Sequence, residues 1–199
     1  MSTENFEKAL KEIDRFNSQD PRQKIDDGIA HPQELIYSKS LTEWVLKLDP
    51  QASEALRVAA RGQHIGRWTI PRSEYPAGRS GYLRWREELK AFHVEKIGGI
   101  LRDIGYEEDF IERVASLMLK KDMKEDPDAQ TLEDGLCLLF FETQFMDLME
   151  KTPADKMQIV VRKTWKKMGS KGREIALEMK LPFEVKRFLE SALNRPLVV

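Results

Sequence analysis

Ala59–Trp85 reads AARGQHIGRWTIPRSEYPAGRSGYLRW. Its alanines open a helix that breaks at Gly66. A loop stiffened by Pro71 and Pro76 follows, and a second helix begins near Gly81. With no strand-period alternation on either side, this helix–loop–helix decides for an all-α fold. The alanine run suits close packing and places the first helix centrally. The stretch also holds His64, one of three histidines, among Arg61, Arg67, Arg72, Arg79 and Arg84.

Working outward toward the N-terminus, the central helix is expected over Ala52–Ile65, with Ser53 as a cap. A helix before it runs from Pro32, a residue favoured at helix starts, to about Leu48, where Asp49-Pro50 ends it. His31 therefore lies at or just before that helix. Asn17–Ala30, rich in Asp, Pro and Gly, reads as a loop, and Ser2–Phe16 as an amphipathic helix with Phe6, Leu10 and Ile13 on one face. Toward the C-terminus, helices are expected over Ser80–Ile104, Glu107–Lys121, Gln130–Glu150, Ala154–Met168, Gly172–Met179 and Pro182–Leu193. A polar loop spans Asp122–Asp128. Gln130–Glu150 is apolar nearly all round, as a core helix is, and is interrupted by Glu133 and Asp134. The expectation is a single domain over residues 1–199, a bundle of about eight or nine helices.

Hydrophobic residues make up 41% of the chain and charged residues 34%, with a formal net charge of −1. This is an ordered composition with no global field for nucleic acid or anionic lipid, so any basic site must be local. The one cysteine, Cys137, excludes an internal disulfide framework and fits a reducing compartment. The polar first residues do not resemble a signal peptide, and no apolar run approaches the ~18 residues of a membrane span. The expected location is cytoplasmic, with no membrane partner.

Four separated residues stand out for chemistry: His31 at a helix start, His64 at a helix end, His93 mid-helix and Asp134 in the core helix. Imidazole and carboxylate together suit a borderline divalent ion. A carboxylate beside Leu136, Cys137 and Leu138 is costly to bury unless paired or metal-bound. The alternative is structural: Asp134 flanks the first turn of its helix, His31 caps, and His64 and His93 are satisfied imidazoles.

The order and context of these residues resemble the HD superfamily of metal-dependent phosphohydrolases. AARGQHIGRWTIP is similar to that family's helix–His–Asp–turn segment, and FHVEKIGGILRDIGYEEDFIERVASLM to its accessory-histidine helix. QTLEDGLCLLFF is similar to its last metal-ligand helix. The likeness covers roughly residues 28–150, with residues 1–27 and 151–199 as additions. It implies one divalent ion (Mn, Fe, Co, Ni or Zn) held by His31, His64, His93 and Asp134, and a metal-activated water attacking phosphorus. Glu133 and Glu142 are the candidate bases. The departure is Ile65, which stands where the family has the Asp of its His-Asp pair and cannot bind metal. A narrower likeness to a bacterial and fungal family without assigned function adds no mechanism.

Arg61, Arg67, Arg72 and Arg79 are the candidate phosphate ligands, because guanidiniums bind phosphate bidentately. Their alternative is solvated charge paired with Glu74, Glu87 and Glu88. Trp68, Tyr75, Tyr82 and Trp85 interleave with them, so a nucleotide, or single-stranded RNA, enters as a candidate partner beside plain packing. The expected function is a divergent metal-dependent hydrolase of a phosphorylated small molecule, a nucleotide by preference. The alternative is a non-catalytic protein of the same fold that binds a nucleotide or RNA.

Overall fold

A computed structural model describes residues 3–26, 28–121, 123 and 125–193. Ser2 of the first expected helix, and Asp122 and Lys124 of the expected polar loop, lie outside the described residues. The class is all-α. Ten helices appear among the described residues rather than eight or nine: α1 (Thr3–Asn17), α2 (Gln33–Leu48), α3 (Glu54–Gly62), α4 (Gly78–Ile104), α5 (Glu108–Leu119), α6 (Pro127–Thr143), α7 (Phe145–Lys151), α8 (Ala154–Lys167), α9 (Ser170–Glu178) and α10 (Phe183–Leu193). No helix among these residues is long and apolar enough to cross a membrane.

The extra helix comes from a break at Gln144, which divides the expected core helix into α6 and α7. α6 also starts earlier than its apolar run. Asp126 accepts from the backbone N–H of Asp128 and Ala129, and Pro127 occupies the first turn. A second correction concerns Asn17–Ala30, where β1 (Gln23–Asp26) and β2 (Ile29–Pro32) pair antiparallel with Lys24 opposite His31. Gly28, at φ 78, supplies the positive-φ backbone that a tight hairpin needs.

α3 is the central element. Ala55, Leu56, Val58, Ala59 and Ala60 are all buried, and α1, α2, α5 and α6 pack around it. Small residues let these helices approach closely. Gly135 of α6 faces α2, where an added Cβ would lie 3.4 Å from both Leu41 and Val45. α3 ends before His64, and Gly66 (φ 65) turns the chain out of it. That turn is pinned from two sides. Asn17 Oδ1 accepts the Gly66 N–H at 3.3 Å, and the Trp85 indole donates to Ile70 O at 2.9 Å. His64 and Arg67 thus project from a turn held between α1 and α4.

Candidate functional site

Glu34 opens α2 and is 3% exposed. Its backbone N–H donates to the buried Asp20 carboxylate at 3.0 Å, so a residue from the preceding loop caps this helix. Arg22 donates to Asp20 and, at 2.8 Å, to Glu34 Oε1. That leaves Glu34 Oε2 buried without a hydrogen-bond partner, 3.9 Å from His64 Nδ1. Burial raises the Glu34 pKa, and Arg22 opposes the rise. Desolvation drives the His64 pKa well below 6.5, and Arg67, His93 and Lys120 push the same way, so the ring is neutral at pH 7. Tyr37 stacks on that ring at 4.5 Å and 15°.

His93, on α4, lies with its ring centroid 6.0 Å from that of His64. Its Nδ1 is 2.7 Å from the carbonyl oxygen of Ile65. Burial lowers its pKa to about 4, more than that hydrogen bond restores. Ile65 itself is fully buried among apolar side chains. The position that departs from the HD pattern is a core residue here, tied to His93 through its backbone.

Two cavities meet at this turn. One, of 620 Å³, is lined by five cations, Arg67, Arg86, Lys90, Lys120 and Lys167, against a single carboxylate, Glu133. Glu133 is buried and accepts from Lys120, with Lys167 at 3.3 Å. Lys120 is the one non-glycine at positive φ (57) among the described residues, where it caps α5. The second cavity, of 440 Å³, is lined by Glu34, Tyr37, Ser40 and Asp147. His64, Arg67 and Gln144 belong to both. Arg67 stacks on Trp85 at 4.8 Å and is half-buried. Among the described residues no carboxylate comes within 4.0 Å of the Arg67 or Arg86 guanidinium.

The residues singled out in the sequence separate into two groups. His64, His93, Arg67 and Glu133 come together at the larger cavity. His31 sits on β2, half-buried opposite Lys24, and lines neither cavity. Asp134 faces away. Its Oδ1 accepts from Gly169 N at 2.8 Å and from Gln130 at 2.8 Å, so it caps the start of α9. Glu142 accepts from the Trp44 indole at 2.7 Å. Arg61 pairs with Asp14 at 3.4 Å, Arg72 donates to the carbonyls of Tyr75 and Pro76, and Arg79 is exposed.

The implied metal set therefore does not fit. Two of its four ligands, His31 and Asp134, are directed elsewhere, and backbone donors partly compensate the burial of Asp134. Among the described residues no group of three or more His, Cys, Asp or Glu side chains converges as metal ligands would. The aromatic residues do not form a stacking row either. Trp85 is buried and Trp68 packs on Phe16. Tyr82, 42% exposed, lines the larger cavity.

Glu34, Tyr37, Lys120 and Lys167 were missed in the sequence. A local signal existed only for Glu34, two residues after the helix-starting proline. No curated protein and no solved structure matches the chain. A family model described as a domain of unknown function, DUF4202, matches residues 7–189, nearly all of it, and the chain belongs to that family.

Proposed function

We propose that this protein binds a phosphorylated small molecule in the 620 Å³ cavity, without a resident metal. The observation that carries the reading is Arg67, a half-buried guanidinium with no carboxylate partner among the described residues, standing beside His64 where the two cavities meet. Glu34 attracts this guanidinium but makes no ion pair within 4.0 Å of it, and a half-buried cation without a direct partner favours an incoming anion. Arg86, Lys90 and the Lys120–Lys167 pair surround the same space. The volume lies within the ~300–1,000 Å³ usual for small-molecule sites. Metal-water hydrolysis is not carried forward, because its ligands do not converge.

The test is calorimetric titration of the full chain with inorganic phosphate and pyrophosphate in the presence of a chelator. Saturable binding, weakened about tenfold or more in Arg67→Gln, is expected, since a charge-assisted pair contributes ~1.5–3 kcal/mol. No binding of any phosphate compound, or equal binding by the variant, would overturn it.

One contact favours a second reading, metal-free hydrolysis. Glu34 Oε2, without a hydrogen-bond partner, lies 3.9 Å from His64 Nδ1, so a small approach would let it accept from Nδ1–H and leave Nε2 as the basic atom. Nε2 would take a proton from water as the water oxygen bonds to phosphorus. The ester P–O bond then breaks, with its electron pair leaving on the ester oxygen. Phosphate release that persists in chelator and falls about a hundredfold in Glu34→Gln supports this. Release that requires added metal sinks it.

A further inference from the structure

The charged side chains on the wall of the larger cavity are donors apart from Glu133, yet two uncharged side chains there, Gln63 and His93, hold acceptors with nothing to accept. Gln63 closes α3. Its Nε2 donates to the Met118 carbonyl at 3.3 Å, which fixes the amide and leaves Oε1 buried without a partner. His93 is fixed in the same manner. The Ile65 carbonyl 2.7 Å from Nδ1 has only lone pairs to offer, so Nδ1 carries the proton and Nε2 is left as a lone pair. Nε2 is also buried without a partner, and the residue is 5% exposed. Both residues line the cavity. A buried acceptor left unpaired is costly, and native structures seldom retain one.

The phosphoryl dianion of a monoester cannot answer these two atoms, because it carries no hydrogen and is only an acceptor. Nor do the cavity's own lysines, since Lys120 and Lys167 are drawn to Glu133 and Lys90 to Glu87. We infer that the ligand is a phosphate monoester whose organic part carries hydroxyl or amino hydrogens, read by Gln63 Oε1 and His93 Nε2. This rests on the phosphate reading above and adds the specificity. The phosphoryl group lies with the guanidiniums, and the donor-bearing part reaches Gln63 and His93. Apolar Met118, Leu136 and Phe140 on the same wall cover its carbon skeleton.

The experiment compares four probes of like charge, titrated into the full chain with chelator present: methyl phosphate, phenyl phosphate, ribose 5-phosphate and adenosine monophosphate. The last two should bind about tenfold or more tightly than the first two, as one or two net hydrogen bonds allow. The key variant is His93→Asn. The asparagine amide retains a donor for the Ile65 carbonyl and deletes the atom equivalent to Nε2. It should remove most of the advantage of the hydroxylated probes over methyl phosphate. Circular dichroism confirms that the variant folds.

If all four probes bind equally, the inference fails and the phosphate reading stands. If none binds, the phosphate reading itself fails. If chelator-free protein takes up Zn or Mn stoichiometrically and His93→Asn loses it, Nε2 is a metal ligand, and the assignment to ligand hydrogens is overturned.

Discussion

Glu34 divides its carboxylate between two tasks: Oε1 is held by Arg22, and Oε2 faces His64. His93 divides its ring in the same way, with Nδ1 on a carbonyl and Nε2 left without a partner. These rings are held neutral by burial, which fixes the sign of a pH effect. The folded pKa of His93, about 4, lies below its ordinary 6.5, so the unfolded chain binds the extra proton. The stability contributed by neutral His93 is complete above pH 6.5 and is lost as pH falls toward 4. Between pH 7 and 5, wild type should lose about 2 kcal/mol more than His93→Asn. Urea unfolding at both values checks this, and equal losses would contradict a neutral buried ring. His64 and Arg67 were legible in the sequence because one short turn carries both. Arg61 and Arg72 look no different on paper. Only the fold shows that Asp14 takes the first and loop carbonyls take the second.

At the level of elements, the docking of α9 on α6 explains why Asp134 misled. A carboxylate in an apolar helix does need a partner, and the physical premise held. The partner is the start of another helix, at Gly169, rather than a cation. Such a helix terminus carries partial positive charge and unpaired N–H groups. Asp134→Asn keeps an acceptor at Oδ1 and should change stability by less than ~1 kcal/mol, whereas Asp134→Ala should cost about 1–3 kcal/mol. A ligand-free thermal melt distinguishes the two, and equal large losses would argue against capping. Gly172 shares this contact. A Cβ there would sit 2.5 Å from Asp134 Cγ, so Gly172→Val should destabilise by about 2 kcal/mol or more. Helical periodicity revealed the helices, since each buries a stripe of its surface. The hairpin escaped because its strands are four residues long and expose Ile25 and Ile29, so no alternating pattern arises. The break at Gln144 left no proline or glycine as a marker.

Across the whole molecule, charge is nearly balanced while one cavity is strongly basic. Binding there should draw on short-range contacts more than on steering. Raising salt from 0.05 to 0.5 M should therefore weaken phosphate binding only a few-fold, as partly buried pairs are screened less than exposed ones. A fall of a hundredfold or more would point to a surface site instead. The cavity also depends on distant parts of the chain. Val160, Thr164 and Lys167 of α8 line it together with Arg86 and Lys90 of α4. A chain truncated after Lys151 should lose phosphate binding altogether and unfold more readily, with the apolar face of α6 uncovered. Sequence reading treated these C-terminal helices as an addition to a core, because nothing in their own residues reports that α8 supplies a wall.

His64, Arg67 and Gln144 form the wall that the two cavities share. Such a divider acts as a ruler, because the length of guest either chamber accepts ends where the imidazole begins. Trimming His64 to alanine would merge the chambers into one gallery. The pocket would then accommodate longer guests that the intact wall turns away, and lose its discrimination by size.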